Sequence, residues 1–157
     1  MTTLRLAALA GIGLSLYSLY MKELMQQDSS FIPTCDVDFY GFHASCSSVL
    51  NSSYSYLLSH FGLVSRGSAL DFSLSFLGLV YYFSMIVFST ILPPSLLLAA
   101  SLPSLVLSLY LAYVMKYILH EFCIVCASMY LCNLLMFIGA ARMQILQIRA
   151  SSKPKKQ

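Results

Sequence analysis

Four stretches of the chain are apolar for long enough to cross a bilayer, and the charged residues fall almost entirely between or beyond them. A hydrocarbon core about 30 Å thick needs about 20 mostly apolar residues per helix. The stretches run from about Leu4 to Met21, Phe72 to Leu92, Leu96 to Leu119 and Phe122 to Ala141. Their only charges, Arg5 and Lys116, lie near segment ends, where a long side chain reaches the interface. Pro93-Pro94 predicts a tight connection, because proline cannot extend the second helix and suits the first turn of the third. Pro103 removes a backbone donor within the third segment and predicts a kink there or a place in its first turns.

Between the first two stretches lies a loop, about 22–71, rich in Ser, Tyr, Asp and Asn. Loops this long are usually functional or disordered. Scattered apolar residues from Val49 to Leu63 leave room for a short helix on the membrane surface. After the fourth stretch comes a basic tail, 142–157. The predicted architecture is therefore all-α: a single integral membrane domain over 1–157, a four-transmembrane-helix bundle with one long loop.

Composition agrees. Hydrophobic residues make up 59% of the 157 and charged residues 10%, too little polar surface for a soluble domain of this size. The net charge is +3, and no basic stripe is interleaved with aromatics, so nucleic acid is not an expected partner; the lipid bilayer is.

Charge placement sets orientation. All six acids lie between the first and last apolar segments, whereas Arg142, Arg149, Lys153, Lys155 and Lys156 follow the last one. With an even helix count both termini share a side, and the positive-inside rule makes it cytosolic. The long loop and the start of the fourth helix then face the lumen. A rival reading takes the first segment as a cleaved signal peptide, but no small-x-small cleavage site precedes Lys22-Glu23. Lys153 and Lys155, placed as in dilysine retrieval signals, point to the endoplasmic reticulum; the alternative is a basic stop-transfer flank. Asn51-Ser52-Ser53 is a glycosylation sequon in the loop.

The chemistry is in the cysteines. Cys123-Ile124-Val125-Cys126 opens the fourth helix, Cys35 and Cys46 lie in the loop, and Cys132 lies deeper in the helix. A helix N-terminus raises a thiol's thiolate fraction. Residues three apart share a helix face, with the second about 4.5 Å further along the axis. Cys123 is thus expected to face the loop thiols, Cys126 the bundle interior, and Cys132 to be a buried apolar residue. Four cysteines on an oxidising face suit two exchanging pairs; static disulfides and a four-cysteine zinc site are the competing readings. The ten residues between Cys35 and Cys46 make a poor zinc hook, and no metal is expected. Tyr130 and Asn133, four and seven residues past Cys126, share its face. They suit the oxygens of a flat apolar ligand, or else partners on other helices.

These residues together resemble the vitamin K epoxide reductase family over most of the chain. The resemblance is carried by Leu14-Ser15-Leu16-Tyr17, Cys35-Asp36-Val37, Cys46-Ser47, Phe61-Gly62-Leu63 and Leu109-Tyr110-Leu111-Ala112-Tyr113. Its most specific stretch is Glu121-Phe122-Cys123-Ile124-Val125-Cys126 with Tyr130 and Asn133. It implies thiol-dependent reduction of vitamin K epoxide or vitamin K quinone in the endoplasmic reticulum membrane. Cys126 would deliver electrons to the quinone and Cys123 would pair with it. Cys46 would reduce Cys123, and Cys35 would receive electrons from a lumenal thioredoxin-like partner. The resemblance places Tyr130, Asn133, Leu111, Tyr81 and Leu50 at the quinone, where 4-hydroxycoumarin anticoagulants also bind. The quinone is a substrate; no tightly bound cofactor is expected. The alternatives are a quinone-linked disulfide-forming enzyme with no epoxide step, and a structural membrane protein with static disulfides.

The chain departs from the family in places. Its Cys35–Cys46 spacing is longer than in vertebrate members, and no tryptophan is present. Leu74 stands where those members carry an Asn that contacts the quinone. The segment around Leu50, Asn51 and Ser52 matches poorly. The four cysteines are untouched.

Overall fold

The computed structural model describes residues 2–28, 33, 35–39, 42–52, 56 and 72–152, with side chains for all of these except 37–39, 42–44 and 51. Phe61-Gly62-Leu63 and the tail lysines Lys153 and Lys155 lie outside the described residues, as does the Asn51 side chain. The described chain runs α1 (Thr2–Gln27), β1 (Val37–Phe39), β2 (Phe42–Ala44), α2 (Cys46–Asn51), α3 (Leu74–Ile91), α4 (Pro94–Val114, continued as a π-helix over Met115–Leu119) and α5 (Ile124–Ser151). Four of these helices are long and apolar enough to cross a membrane. The protein is a four-helix membrane bundle carrying a long loop between its first two spans. Leu9, Phe83, Leu109 and Leu146 are each more than half exposed, a surface that suits lipid and not water.

The bounds differ from the apolar pattern in understandable ways. α1 runs to Gln27, six residues past Met21, since Lys22 to Gln27 are mostly good helix formers. Lys22 is buried there with its ammonium 3.5 Å from the centre of the Tyr56 ring, a cation–π contact that makes a buried lysine tolerable. α5 runs ten residues past Ala141, through Arg142 to Ser151, because no breaker interrupts it before Pro154. Much of what reads as a basic tail is thus helical. α3 begins at Leu74 behind an N-cap at Ser73, and Pro93 and Pro94 cap and open α4. Pro103 lies inside α4. The loop holds a two-stranded antiparallel hairpin with Val37 opposite Ala44, which its composition does not announce. Of the stretch expected to form a surface helix, α2 supplies a short helix that begins earlier, at Cys46; residues 53–55 and 57–63 lie outside the described residues.

Two hydrophobic cores fill the bundle. The first joins α1, α3, α4 and α5 through Leu4, Ala8, Tyr82, Met85, Leu97, Cys132 and Met136. Its helices approach closely at glycine. A Cβ on Gly11 would lie 2.6 Å from the Tyr82 ring, and one on Gly139 would lie 3.2 Å from the Leu4 backbone nitrogen, so these contacts need small residues. The second core, at the end where the loop returns, gathers Met21, Cys46, Leu50, Met115, Cys123 and Val125. Serines inside the membrane return their hydroxyl hydrogens to their own helix: Ser89 to the Ile86 carbonyl, Ser101 to Leu98, Ser104 to Ser101 and Ser108 to Ser104. Ser18 of α1 and Ser75 of α3 pair with each other at 2.7 Å.

Candidate active site

The second core is where the cysteines meet. Cys35 and Cys46 form a disulfide with Cα atoms 5.8 Å apart, while Cys123, Cys126 and Cys132 are free thiols. The Cys123 sulfur lies 3.6 Å from the Cys46 sulfur, and both residues are wholly buried. The two sulfurs are therefore already in contact, as a thiol–disulfide exchange between them would require.

Local structure on both sides produces this contact. Cys123 is the N-cap of α5, its sulfur accepting from the Cys126 backbone N–H at 3.3 Å. It is delivered there by an unusual approach. α4 ends in the π-helical turn Met115–Leu119, and His120 then takes a left-handed conformation, φ 53°. Such turns concentrate at functional sites. The Cys123 N–H meets the Met115 sulfur at 3.4 Å. On the loop side, the Ser45 N–H donates to the Phe122 carbonyl at 2.9 Å, joining the residue before Cys46 to the residue before Cys123. Ser45 caps α2 through Ser48, and the Asp36 carboxylate accepts from the N–H groups of Cys46 and Ser47 and from the Ser47 hydroxyl.

The Cys126 thiol hydrogen-bonding to its sulfur holds Cys123 below the ordinary thiol pKa, with backbone N–H groups helping; burial and the Asp36 charge oppose this. Cys35, Asp36 and Cys46 bring potential metal-ligating atoms within 4.8 Å of one another, but the disulfide consumes both thiolates that a metal would need.

Cys126 points the other way, into an apolar cavity. A small chamber of about 60 Å³ is lined by Cys126, Tyr130, Leu50, Leu111, Ser52 and Leu74. It shares Leu74, Leu111, Met129 and Tyr130 with a larger one of about 450 Å³ that extends between α3 and α4 to Tyr81, Ser104, Ser108 and Asn133. That volume is in the range of small-molecule sites. Leu50, Leu111 and Tyr130 thus stand around the chamber beside Cys126, while Tyr81 and Asn133 line the larger cavity, which shares Leu111 and Tyr130 with it. Tyr130 has no hydrogen-bond partner for its hydroxyl among the described residues. Tyr81 pairs with Ser104 at 2.8 Å, and the Asn133 side-chain nitrogen donates to Ser108 at 2.7 Å, its buried oxygen having no partner among the described residues. Cys132 is apart, in the first core.

Sequence reasoning passed over Asp36, Ser45, Ser47 and Met115 as site residues. A serine directly before Cys46 was readable as a helix cap, and an acid directly after Cys35 as its neighbour, but nothing in the pattern showed that Asp36 would reach across to α2.

The chain is similar to known proteins along nearly this whole length. A model of the vitamin K epoxide reductase family matches residues 2–141. The vitamin K epoxide reductase complex subunit 1 of Rattus norvegicus is 36% identical over 138 residues, 83% of this chain and 82% of that one. Its counterpart from Mus musculus is 35% identical over 132 residues, 80% of this chain and 78% of that one.

Proposed function

Because the chain belongs to the vitamin K epoxide reductase family, we propose that it reduces vitamin K epoxide, vitamin K quinone or both, through a relay of four cysteines. The observation that carries this reading is the 3.6 Å contact between Cys123 and Cys46, with Cys126 of the same pair opening onto the cavity.

The electron path runs in three balanced steps. At the cavity, the Cys123–Cys126 dithiol gives two electrons and two protons to the substrate and closes to a disulfide. A quinone leaves as hydroquinone; an epoxide leaves as quinone plus water. Next, the Cys46 thiolate attacks the Cys123 sulfur, forming a Cys46–Cys123 bond and freeing Cys126. The Cys35 thiolate then attacks Cys46, closing the loop disulfide and freeing Cys123. That last step would leave the loop disulfide closed and the C-x-x-C pair reduced, an arrangement with which the structure is compatible. A lumenal thioredoxin-like protein reopens the Cys35–Cys46 disulfide. Tyr130, Asn133, Leu111, Tyr81 and Leu50 line the quinone's space, Tyr130 offering its hydroxyl to a ring oxygen next to Cys126. The same space takes 4-hydroxycoumarins, which makes the enzyme the warfarin-sensitive type. Both termini are cytosolic and the relay faces the endoplasmic reticulum lumen, by the charge placement described above.

Microsomes carrying the protein, assayed separately with vitamin K epoxide and vitamin K quinone under dithiothreitol, test the substrate. Turnover of the epoxide is the expected result. Turnover of quinone alone replaces this reading with a quinone-linked disulfide-forming enzyme. Full activity in Cys126→Ala removes the relay altogether.

A further inference from the structure

Asp36 has no part in the electron path, yet it is tied to the relay more closely than any other charged side chain among the described residues. It follows Cys35 directly, and its carboxylate receives the N–H of Cys46, the N–H of Ser47 at 3.1 Å and the Ser47 hydroxyl. The segments it joins are the ones the Cys35–Cys46 disulfide joins, eleven positions apart. It is thus a second bridge, parallel to the covalent one and made of bonds that reduction does not break. Its own backbone is held too, the Asp36 N–H donating to the Pro33 carbonyl at 3.0 Å.

We propose that Asp36 is a positioning residue of the relay: a clamp that keeps Cys35 against Cys46, and Cys46 against Cys123, while the loop disulfide is open. This rests on the relay reading above. The relay needs the Cys35 thiolate to find Cys46 once per cycle, when the loop disulfide is reclosed. With no bridge, the opened loop is free to carry Cys35 away, and the effective concentration of one thiol at the other falls. Three hydrogen bonds to a carboxylate, charge-assisted and at the start of a helix, hold the two segments in register through the open state. The hydrogen bond from Ser45 to the Phe122 carbonyl anchors the clamped unit to the start of α5. The clamp therefore acts on the Cys35–Cys46 pair, while a helix sets the spacing of the Cys123–Cys126 pair, which Asp36 reaches only through its charge.

The experiment uses the full chain in lipid nanodiscs, equilibrated in buffers of reduced and oxidised dithiothreitol and read by differential alkylation and mass spectrometry. In Asp36→Ala the equilibrium constant for closing Cys35–Cys46 is expected to fall about tenfold, raising that pair's midpoint potential by about 30 mV. The Cys123–Cys126 midpoint is expected to stay in place in Ser47→Ala, which keeps the carboxylate, and in Asp36→Ala to rise by less than that of the loop pair, since loss of the Asp36 charge favours the Cys123 thiolate. Ser47→Ala removes one of the three bonds and leaves Asp36 intact. It is expected to shift the loop pair about threefold in the same direction, and it carries the test if Asp36→Ala does not fold. A shift below twofold in the variants that fold overturns the clamp, and so does an equal shift in both pairs, which marks general loosening. The relay itself is checked separately with Cys126→Ser, where the Cys123 thiolate can attack Cys46 and expel Cys35. Absence of any Cys46–Cys123 mixed disulfide there sinks the relay, a failure distinct from loss of the clamp.

Discussion

The two cores of this bundle are made of different material. The first is hydrocarbon pressed against backbone: Tyr82 lies flat on Gly11, Leu4 rests on Gly139, and Met85, Leu97 and Met136 fill the remainder. The second is held by sulfur and by capped helix ends: two cysteines and two methionines among its six buried members, a π-helical turn, a left-handed His120 and a carboxylate across α2. Close packing of the first kind leaves a helix pair one arrangement. Contacts of the second kind can be exchanged one at a time, a sulfur–sulfur bond here for another there, without emptying the core. The molecule keeps its rigid packing where α1 meets α3 and α5, and its rearrangeable packing where the loop meets α5.

Substitutions that strike one core and spare the other test this division. The largest effect is expected from Cys126→Ser, with turnover falling by about a thousandfold or more while thermal unfolding in detergent stays nearly unchanged, since a buried thiol and hydroxyl differ little in volume. The complementary strike is Gly11→Ala. Its new methyl meets the buried Tyr82 ring, and stability is expected to drop by about 1–3 kcal/mol. Activity per folded molecule should be retained, as assayed after separating folded protein by size exclusion. A third, smaller effect probes the cavity that opens from the second core: Leu74→Asn offers an amide to a bound quinone and is expected to lower KM about fivefold, the worth of one hydrogen bond. A rise in KM would instead show that the amide is left unpaired in apolar surroundings. The smallest effect is electrostatic. In a Cys132→Ala background, the ultraviolet absorbance of the Cys123 thiolate should appear at lower pH than for an ordinary thiol, because a depressed pKa populates the anion sooner. Cys126→Ala removes the thiol hydrogen bond that causes most of that depression and should move the onset up.

The two cores also differ in how far the sequence disclosed them. The four spans were readable from hydrocarbon length alone, because a bilayer imposes one requirement on every residue of a helix. The shared face of Cys126, Tyr130 and Asn133 was read from helical period, and the different surroundings of Cys123 and Cys126 from the rise along the helix. What escaped was anything that depends on contacts between distant segments. The Phe122–Ser45 bond and the reach of Asp36 to α2 have no period to betray them. The end of α5 was misjudged because Arg142 reads as the edge of the membrane, while a helix stops only where its own backbone is interrupted. The hairpin before α2 was missed for the converse reason: three-residue strands are too short to show alternation.

Cys132 has a consequence of its own. It is six residues beyond Cys126 on the same helix, about 9 Å along the axis and turned well away from it, in the company of Leu4, Tyr82 and Met136. Sulfur exchange needs touching atoms, so this fifth sulfur is insulated from the other four by distance and by hydrocarbon. A wire that carries electrons two at a time would work only without a side branch, and the seat of Cys132 among the residues of the first core denies it one.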